Sequence, residues 1–250
     1  MTLVYSILIF ILGALLTSFF QLIAQRIPNH ESINGRSYCP DCHHQLRLID
    51  VFPIFGYLLN KGRCHFCKIK IPVAYLLLEI LGGSLFVFSY LMIGFELELI
   101  IVIIMISVLL LESISDSLYM IVIDRIWIIG ILPIITIRII QGQFFEYLLS
   151  SVILFAILYM FAYLGKKMYH KDAFGGGDVK IYIFIGFVLI FKLGLLSLFL
   201  ASLFGLIFGL IERKTAGSEI PLIPFIFAGV LISYFFGEMI IGGYLNLLGV

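Results

Sequence analysis

Six consecutive residues, Gly175, Gly176, Gly177, Asp178, Val179 and Lys180, set an ionisable carboxylate beside unhindered backbone just ahead of an apolar run that starts at Ile181. Glycine lacks Cβ, so three in a row let another extended backbone approach the acid. The same Asp178 could instead cap the helix that follows. A second group of acids lies at Glu112, Asp116 and Asp124. Two carboxylates brought within a few ångströms cannot both ionise easily; they share a proton and titrate as one unit, which suits them to general acid and base work on a polarised carbonyl. A third group is made of thiols: Cys39 and Cys42 in CPDC, and Cys64 and Cys67 in CHFC, with 21 residues between the pairs. Two CxxC turns at this separation suit a four-thiolate zinc site. His43, His44 and His65 stand beside them, but four thiolates need no substitute ligand.

The elements that must position these groups are membrane helices. The chain of 250 residues is 62% hydrophobic and only 12% charged, about half the charge of a soluble domain. An all-α polytopic membrane protein is expected. Apolar runs near 3–23, 73–93, 98–115, 121–140, 147–165, 179–192, 194–211 and 222–241 predict about eight transmembrane helices. The sixth run is short, and merging it with the seventh would give seven. The first starts right after Met1 with no basic flank, and it reads as a retained span.

Lys and Arg are retained in cytoplasmic loops. The first loop holds Arg26, Arg36, Arg47, Lys61, Arg63, Lys68 and Lys70; the third holds Arg125; the fifth region holds Lys166, Lys167, Lys171 and Lys180; the seventh holds Arg213 and Lys214. Only Arg138 and Lys192 fall on the other side. Both termini are therefore expected outside, with the odd-numbered loops in the cytosol. There the cysteines stay reduced, which favours zinc over disulfides. Three segments follow: a first transmembrane helix (1–24), a small cytoplasmic zinc-binding loop (25–72) and a transmembrane domain (73–250).

Among the acids, Asp116 closes the third span and Asp178 opens the sixth on the same side, so topology allows them to meet. Glu112 lies one helical turn before Asp116 and can tune it. Asp124, followed by Arg125, suits a cap or a surface ion pair as readily as chemistry. Glu79 and Glu238 suit hydrogen bonds between helices. Apart from His170, every histidine lies in the first loop, so no Ser/His/Asp constellation is visible. No phosphate loop, dinucleotide fingerprint or internal repeat is seen, and the net charge of +1 gives no reason to expect nucleic-acid binding.

These residues resemble the type IV prepilin peptidases, and the resemblance covers nearly the whole chain. TSFFQLIAQRIPNHE (17–31) is similar to that family's GSFLNVVIYRLP stretch followed by an acid, CPDC and GRCHFC to its paired cysteines, and IPVAYLLLE (71–79) to its YPLVE run. The family's two aspartates spaced by eight are matched by Asp116 and Asp124, and its GxGDxK by Gly175, Gly177, Asp178 and Lys180. Departures are Ser115 for an isoleucine, Ile123 for a proline, and DVFP (50–53) for ENIP.

The resemblance implies an aspartic endopeptidase of the cytoplasmic membrane, with Asp116 and Asp178 catalytic and Gly175, Gly176, Gly177 and Lys180 forming a substrate loop. Its substrate would be a pilin-like or pseudopilin precursor, competence pseudopilins included, cut after a glycine between a short basic leader and an apolar helix. Many members also N-methylate the new amino terminus with S-adenosylmethionine, an activity associated with the loop and with a glycine matched by Gly62. Membrane lipids are the other expected partner. Alternative readings are a presenilin-like intramembrane protease, which shares GxGD but not the CxxC pairs, and an ion-coupled transporter or assembly scaffold in which the aspartates bind ions.

Overall fold

A computed structural model describes residues 1–169, 175–212 and 220–247. His170, Lys171, Arg213, Lys214 and Val250 lie outside them. The described residues form ten helices: α1 (Thr2–Arg26), α2 (Leu48–Val51), α3 (Phe55–Leu59), α4 (Val73–Ile93), α5 (Leu97–Tyr119), α6 (Asp124–Ile140), α7 (Phe144–Tyr169), α8 (Gly176–Val188), α9 (Phe191–Ile211) and α10 (Ile223–Leu247). Among these residues β structure is limited to two isolated bridges, Tyr38 with Gln45 and Arg63 with Lys70.

The eight apolar runs coincide with α1 and α4–α10. Six of those helices are long and apolar enough to cross a membrane; α6, with 17 residues, and α8, with 13, are shorter. The sixth and seventh runs stay separate because Leu189 and Ile190 are extended. The protein is a multi-pass membrane protein.

The chain divides into two compact units, Met1–Leu111 and Glu112–Val250. In the first, α1 packs on α4 through small residues. A Cβ on Gly13 would lie 3.0 Å from the Gly82 carbonyl oxygen, and one on Gly82 would overlap the Thr17 hydroxyl, so glycine is what lets the two backbones approach. Gln21 Nε2 donates to the Tyr75 carbonyl (3.2 Å) and Gln25 Nε2 to the Tyr75 hydroxyl (2.7 Å), adding polar ties along the same pair.

In the second unit α8 is the exceptional element. Thirteen residues rise only about 20 Å against a hydrocarbon core of about 30 Å, so its last carbonyls need partners short of the far membrane surface. Arg138 of α6 supplies them. Its Nε donates to the Phe187 carbonyl (3.3 Å) and Nη2 to that of Val188 (3.1 Å). Nη1 donates to Gln141 Oε1 (2.9 Å), and the guanidinium lies 3.7 Å from the Tyr147 ring centroid. Ser150 and Ser151 of α7 donate to the carbonyls of Leu189 and Ile183, each at 2.8 Å. The sequence expectation treats Arg138 as a loop charge on the outer side. It is instead 1% exposed and acts as a carbonyl clamp.

At the opposite end of the same helix pair, Lys180 Nζ meets Asp124 Oδ2 at 2.8 Å. Start is tied to start and end to end, so α6 and α8 run parallel, and the turn before α6 lies at the same end of the pair as the glycine loop before α8.

Replacing Arg138 by Leu leaves two buried carbonyls without their donors. A loss of roughly 2–5 kcal/mol is expected, read as a lower unfolding temperature in detergent, with Arg138→Lys recovering only part because an ammonium lacks the planar fork. An unchanged unfolding temperature for Arg138→Leu would contradict the clamp.

Candidate active site

Asp116 lies in the last turn of α5 and is 6% exposed. Its Oδ2 accepts the Ile223 N–H at 3.0 Å. Ile223 is the first residue of α10, where N–H groups have no partner inside the helix. The next residue, Pro224, has no N–H, and those of Phe225 and Ile226 return to the Leu222 carbonyl. Asp116 thus caps α10 from another helix, and the positive end of the α10 dipole faces its carboxylate.

The turn between α5 and α6 is fastened from inside α5. Met120 takes a left-handed conformation (φ 55°), and its N–H donates to the Asp116 carbonyl (2.9 Å). Ser115 Oγ donates to the Ile121 carbonyl (2.7 Å), and Glu112 Oε2 accepts the Ile123 N–H (2.8 Å). Glu112 is fully buried, and its Oε1 has no hydrogen-bond partner among the described residues.

This turn holds Val122 against the start of α8. A Cβ on Gly177 would come within 2.5 Å of Val122 Cγ2, and one on Gly175 within 2.9 Å of Asp178 Oδ2, whereas one on Gly176 would meet nothing. Gly177 therefore serves close packing, Gly175 leaves room for the carboxylate, and Gly176 is sterically free. Asp178 stands in the first turn of α8. Its Oδ2 accepts the Gly175 N–H (3.2 Å), while its own N–H donates to the Gly175 carbonyl (3.1 Å). Asp178 lies within electrostatic reach of Asp116, on the same side that topology gives both acids.

Asp124 is engaged differently. It pairs with Lys180 and accepts the Trp127 indole N–H at 3.2 Å, and both ends of the ion pair are about half exposed. Lys180, expected in the substrate loop, is thus held by Asp124. The contributions of Ser115, Val122 and the Ile223 amide are absent from the sequence reading. A backbone donor is not encoded by residue type.

The cysteines form a separate centre. The sulfurs of Cys39, Cys42, Cys64 and Cys67 all lie within 4.8 Å of one another, and those of Cys39 and Cys67 are 3.8 Å apart. A tetrahedron with metal–sulfur bonds of about 2.3 Å has edges of about 3.8 Å, so the donor set fits zinc. The two halves repeat. Cys39 N–H donates to the His44 carbonyl and Cys64 N–H to that of Ile69; His43 (φ 55°) and Lys68 (φ 62°) are both left-handed; and the two β bridges enclose equivalent turns. This local repeat escapes the sequence because His43 and Lys68 share no chemistry.

Burial pushes the Cys64 thiol up, but the N–H groups of Cys67 and Phe66 and the neighbouring sulfurs outweigh it and bring it down to about 7. For Cys67 the Ile69 N–H favours thiolate, yet desolvation and three sulfurs push it up to about 12. Thiolates gathered at one point are stabilised by a bound cation. His44 stacks on Phe66 with centroids 4.0 Å apart, and His65 meets the same ring edge-on. Gly62 (φ 65°) lies at the joint between α3 and the second cysteine turn, where a Cβ would strike the Tyr57 hydroxyl.

Two family profiles match in tandem: the bacterial peptidase A24 N-terminal domain over residues 11–93 and the type IV leader peptidase family over 103–210. The prepilin leader peptidase/N-methyltransferase of Bacillus subtilis is 31% identical, over 96% of this chain and 98% of that one. The chain belongs to the type IV leader peptidase family. Proteins of the same name from Myxococcus xanthus (28% identical, 87% of this chain and 66% of that one) and Legionella pneumophila (27%, 84% and 76%) are also similar. No solved structure matches. The leader peptidase profile covers the helices carrying Glu112, Asp116, Asp124 and Asp178, whereas the cysteine centre falls within the N-terminal profile.

Gly177→Ala is expected to cost the leader peptidase about 1–3 kcal/mol through overpacking on Val122, with Val122→Ala restoring most of it and Gly176→Ala close to neutral. Thermal unfolding of the single and double variants would refute this packing if Gly176→Ala were the more damaging. Metal analysis of the purified protein should find about one zinc per chain, lost in Cys64→Ser. A folded loop with four free thiols and no metal would exclude the centre.

Proposed function

We propose that this chain is an aspartic endopeptidase that removes the short leader of pilin-like precursors at the cytoplasmic face of the membrane, with Asp116 and Asp178 as its catalytic pair. One observation carries the reading. The two carboxylates come from separate helix ends, lie within electrostatic reach, and are held by backbone N–H groups, whereas the available lysine is taken by Asp124.

In the reaction one carboxylate accepts a proton from water as the other donates one to the scissile carbonyl oxygen. The resulting hydroxide oxygen bonds to the carbonyl carbon. Collapse of the tetrahedral intermediate breaks the C–N bond, the amine leaves with a proton from the first carboxyl, and the second regains its proton from the intermediate's hydroxyl. Lys180, two residues from Asp178, is held by Asp124 and so does not fix the pair in the ionised state. Exposed Gly175 and Gly176 leave backbone open to an extended substrate.

The name that the relatives share, prepilin leader peptidase/N-methyltransferase, supports a second activity, N-methylation of the amine that cleavage creates. S-adenosylmethionine would supply the methyl group, and the 25–72 loop with Gly62 is where we assign its binding. Zinc on Cys39, Cys42, Cys64 and Cys67 would hold that loop together. The distribution of basic residues supports a cytoplasmic loop and external termini, and the parallel course of α6 and α8 agrees with it.

Asp116→Asn and Asp178→Asn should each lower leader cleavage at least about 10³-fold while the protein remains inserted, and the double variant should be scarcely worse because the two groups act in one step. Asp124→Asn and Glu112→Gln should keep measurable activity. The readout is the ratio of precursor to mature product on a gel at equal expression. If both single asparagine variants still cleave, the aspartic mechanism is wrong; if Asp124→Asn abolishes cleavage and Asp116→Asn does not, the pair is misassigned.

A further inference from the structure

The loop between α1 and α4 contains a short hairpin, α2 and α3, whose polar side chains bond one another. Asp50 takes two bonds from the Arg47 guanidinium (2.8 and 2.9 Å) and one from Asn60 Nδ2 (2.8 Å). Gly56 packs so closely on the Asp50 carbonyl that no Cβ would fit. What faces outward is apolar: Leu48 is 93% exposed, Phe55 59%, Leu58 58% and Leu59 62%, with Ile49 and Phe52 beside them. A patch of this kind needs a cover.

The tip of the hairpin fixes what that cover is. Ile54 has φ 64° and ψ −54°, a conformation a β-branched residue adopts only when its surroundings impose it. Its N–H donates to Glu79 Oε2 at 2.7 Å. Glu79 follows Val73, the first residue of α4, by six positions, or about 9 Å of helix. The 21 residues of α4 rise about 31 Å, close to the whole hydrocarbon thickness. Glu79 therefore lies below the membrane surface, and a hairpin tip bonded to it lies at the same depth. At that depth an unpaired N–H would be costly, which gives the buried carboxylate its role.

We propose that the α2–α3 hairpin is embedded in the bilayer interface, with its apolar face covered by lipid acyl chains. Exposed Lys61, Arg63, Lys68 and Lys70 follow the hairpin in sequence, where they can meet anionic headgroups. An apolar face combined with a basic cluster supplies the two signals that stable interfacial attachment requires. The cysteine centre, directly joined to α3, is then held at the membrane surface.

The chain's one tryptophan, Trp127, permits a depth measurement. The full-length Trp127→Phe, Phe55→Trp protein is reconstituted into vesicles of phosphatidylethanolamine and phosphatidylglycerol whose acyl chains carry bromine either near the headgroup or near the chain end. Bromine near the headgroup should quench more strongly, and iodide in the buffer should quench at least about fivefold less than it does a tryptophan placed at exposed Asp41. Free quenching by iodide would overturn the proposal. So would protection from both iodide and bromolipid, the result expected if a second copy or another protein covered the face. If the tryptophan variant fails to fold, a photo-crosslinking residue at Leu58 in the otherwise unaltered chain replaces it: phospholipid adducts support the proposal, and protein adducts alone reject it.

Discussion

Inside a bilayer every backbone donor and acceptor that a helix leaves open must be satisfied by the protein itself, and at three places among the described helices polar side chains meet that requirement. Where α5 gives way to α6, Glu112 and Ser115 take the Ile123 N–H and the Ile121 carbonyl. Where α8 stops short, Arg138 and Ser150 take the carbonyls of Phe187, Val188 and Leu189. Where α10 starts, Asp116 takes the Ile223 N–H. Glu112, Ser115, Asp116, Arg138 and Ser150 thus serve helix ends. The acids proposed for catalysis both close helix ends, and closing them aims the carboxylates.

The same economy explains why one lysine so near the glycine loop leaves the acid pair alone. Lys180 is two residues from Asp178, and side chains two apart on a helix point to nearly opposite faces. Asp178 can turn toward Asp116 while Lys180 turns toward Asp124. An ammonium facing the pair would hold both carboxylates ionised and remove the shared proton on which acid–base exchange depends. Asp124 therefore has a protective part in the proposed mechanism: it occupies the cation.

How far the sequence could be read follows from which interactions are local. Helix positions come from runs of apolar residues and were recovered to within about six residues at either end; the cysteine centre comes from two short turns whose spacing carries the ligand geometry. Asp178 stood out because its glycines are contiguous with it. Long-range polar contacts did not stand out. Arg138 reads only as a charge on the outer side, because its carbonyl partners lie some fifty residues away on another helix. Glu79 and Glu238 do bond between helices as expected, to Ser18 of α1 and to Lys192 of α9, but nothing in the sequence pointed to the second partner of Glu79, the backbone N–H of Ile54 in the loop. The part played by the α10 amide had no signature, since its only sign is Pro224 beside it.

The two ties between α6 and α8 also bear on chemistry some distance from either. From Asp124 to Arg138 α6 rises about 21 Å, while from Lys180 to Val188 α8 rises about 12 Å, and the long Arg and Lys side chains span the difference. With both ends fastened and Gly177 seated against Val122, α8 has one register. A slip by a single residue would move Asp178 by about 1.5 Å and turn it by about 100°, enough to take its carboxylate away from Asp116. Reaction rates fall about a hundredfold for misplacements near 1 Å. The buried arginine at the far end of α8 is therefore as much a part of the acid pair's geometry as the glycines beside it, although it touches neither carboxylate.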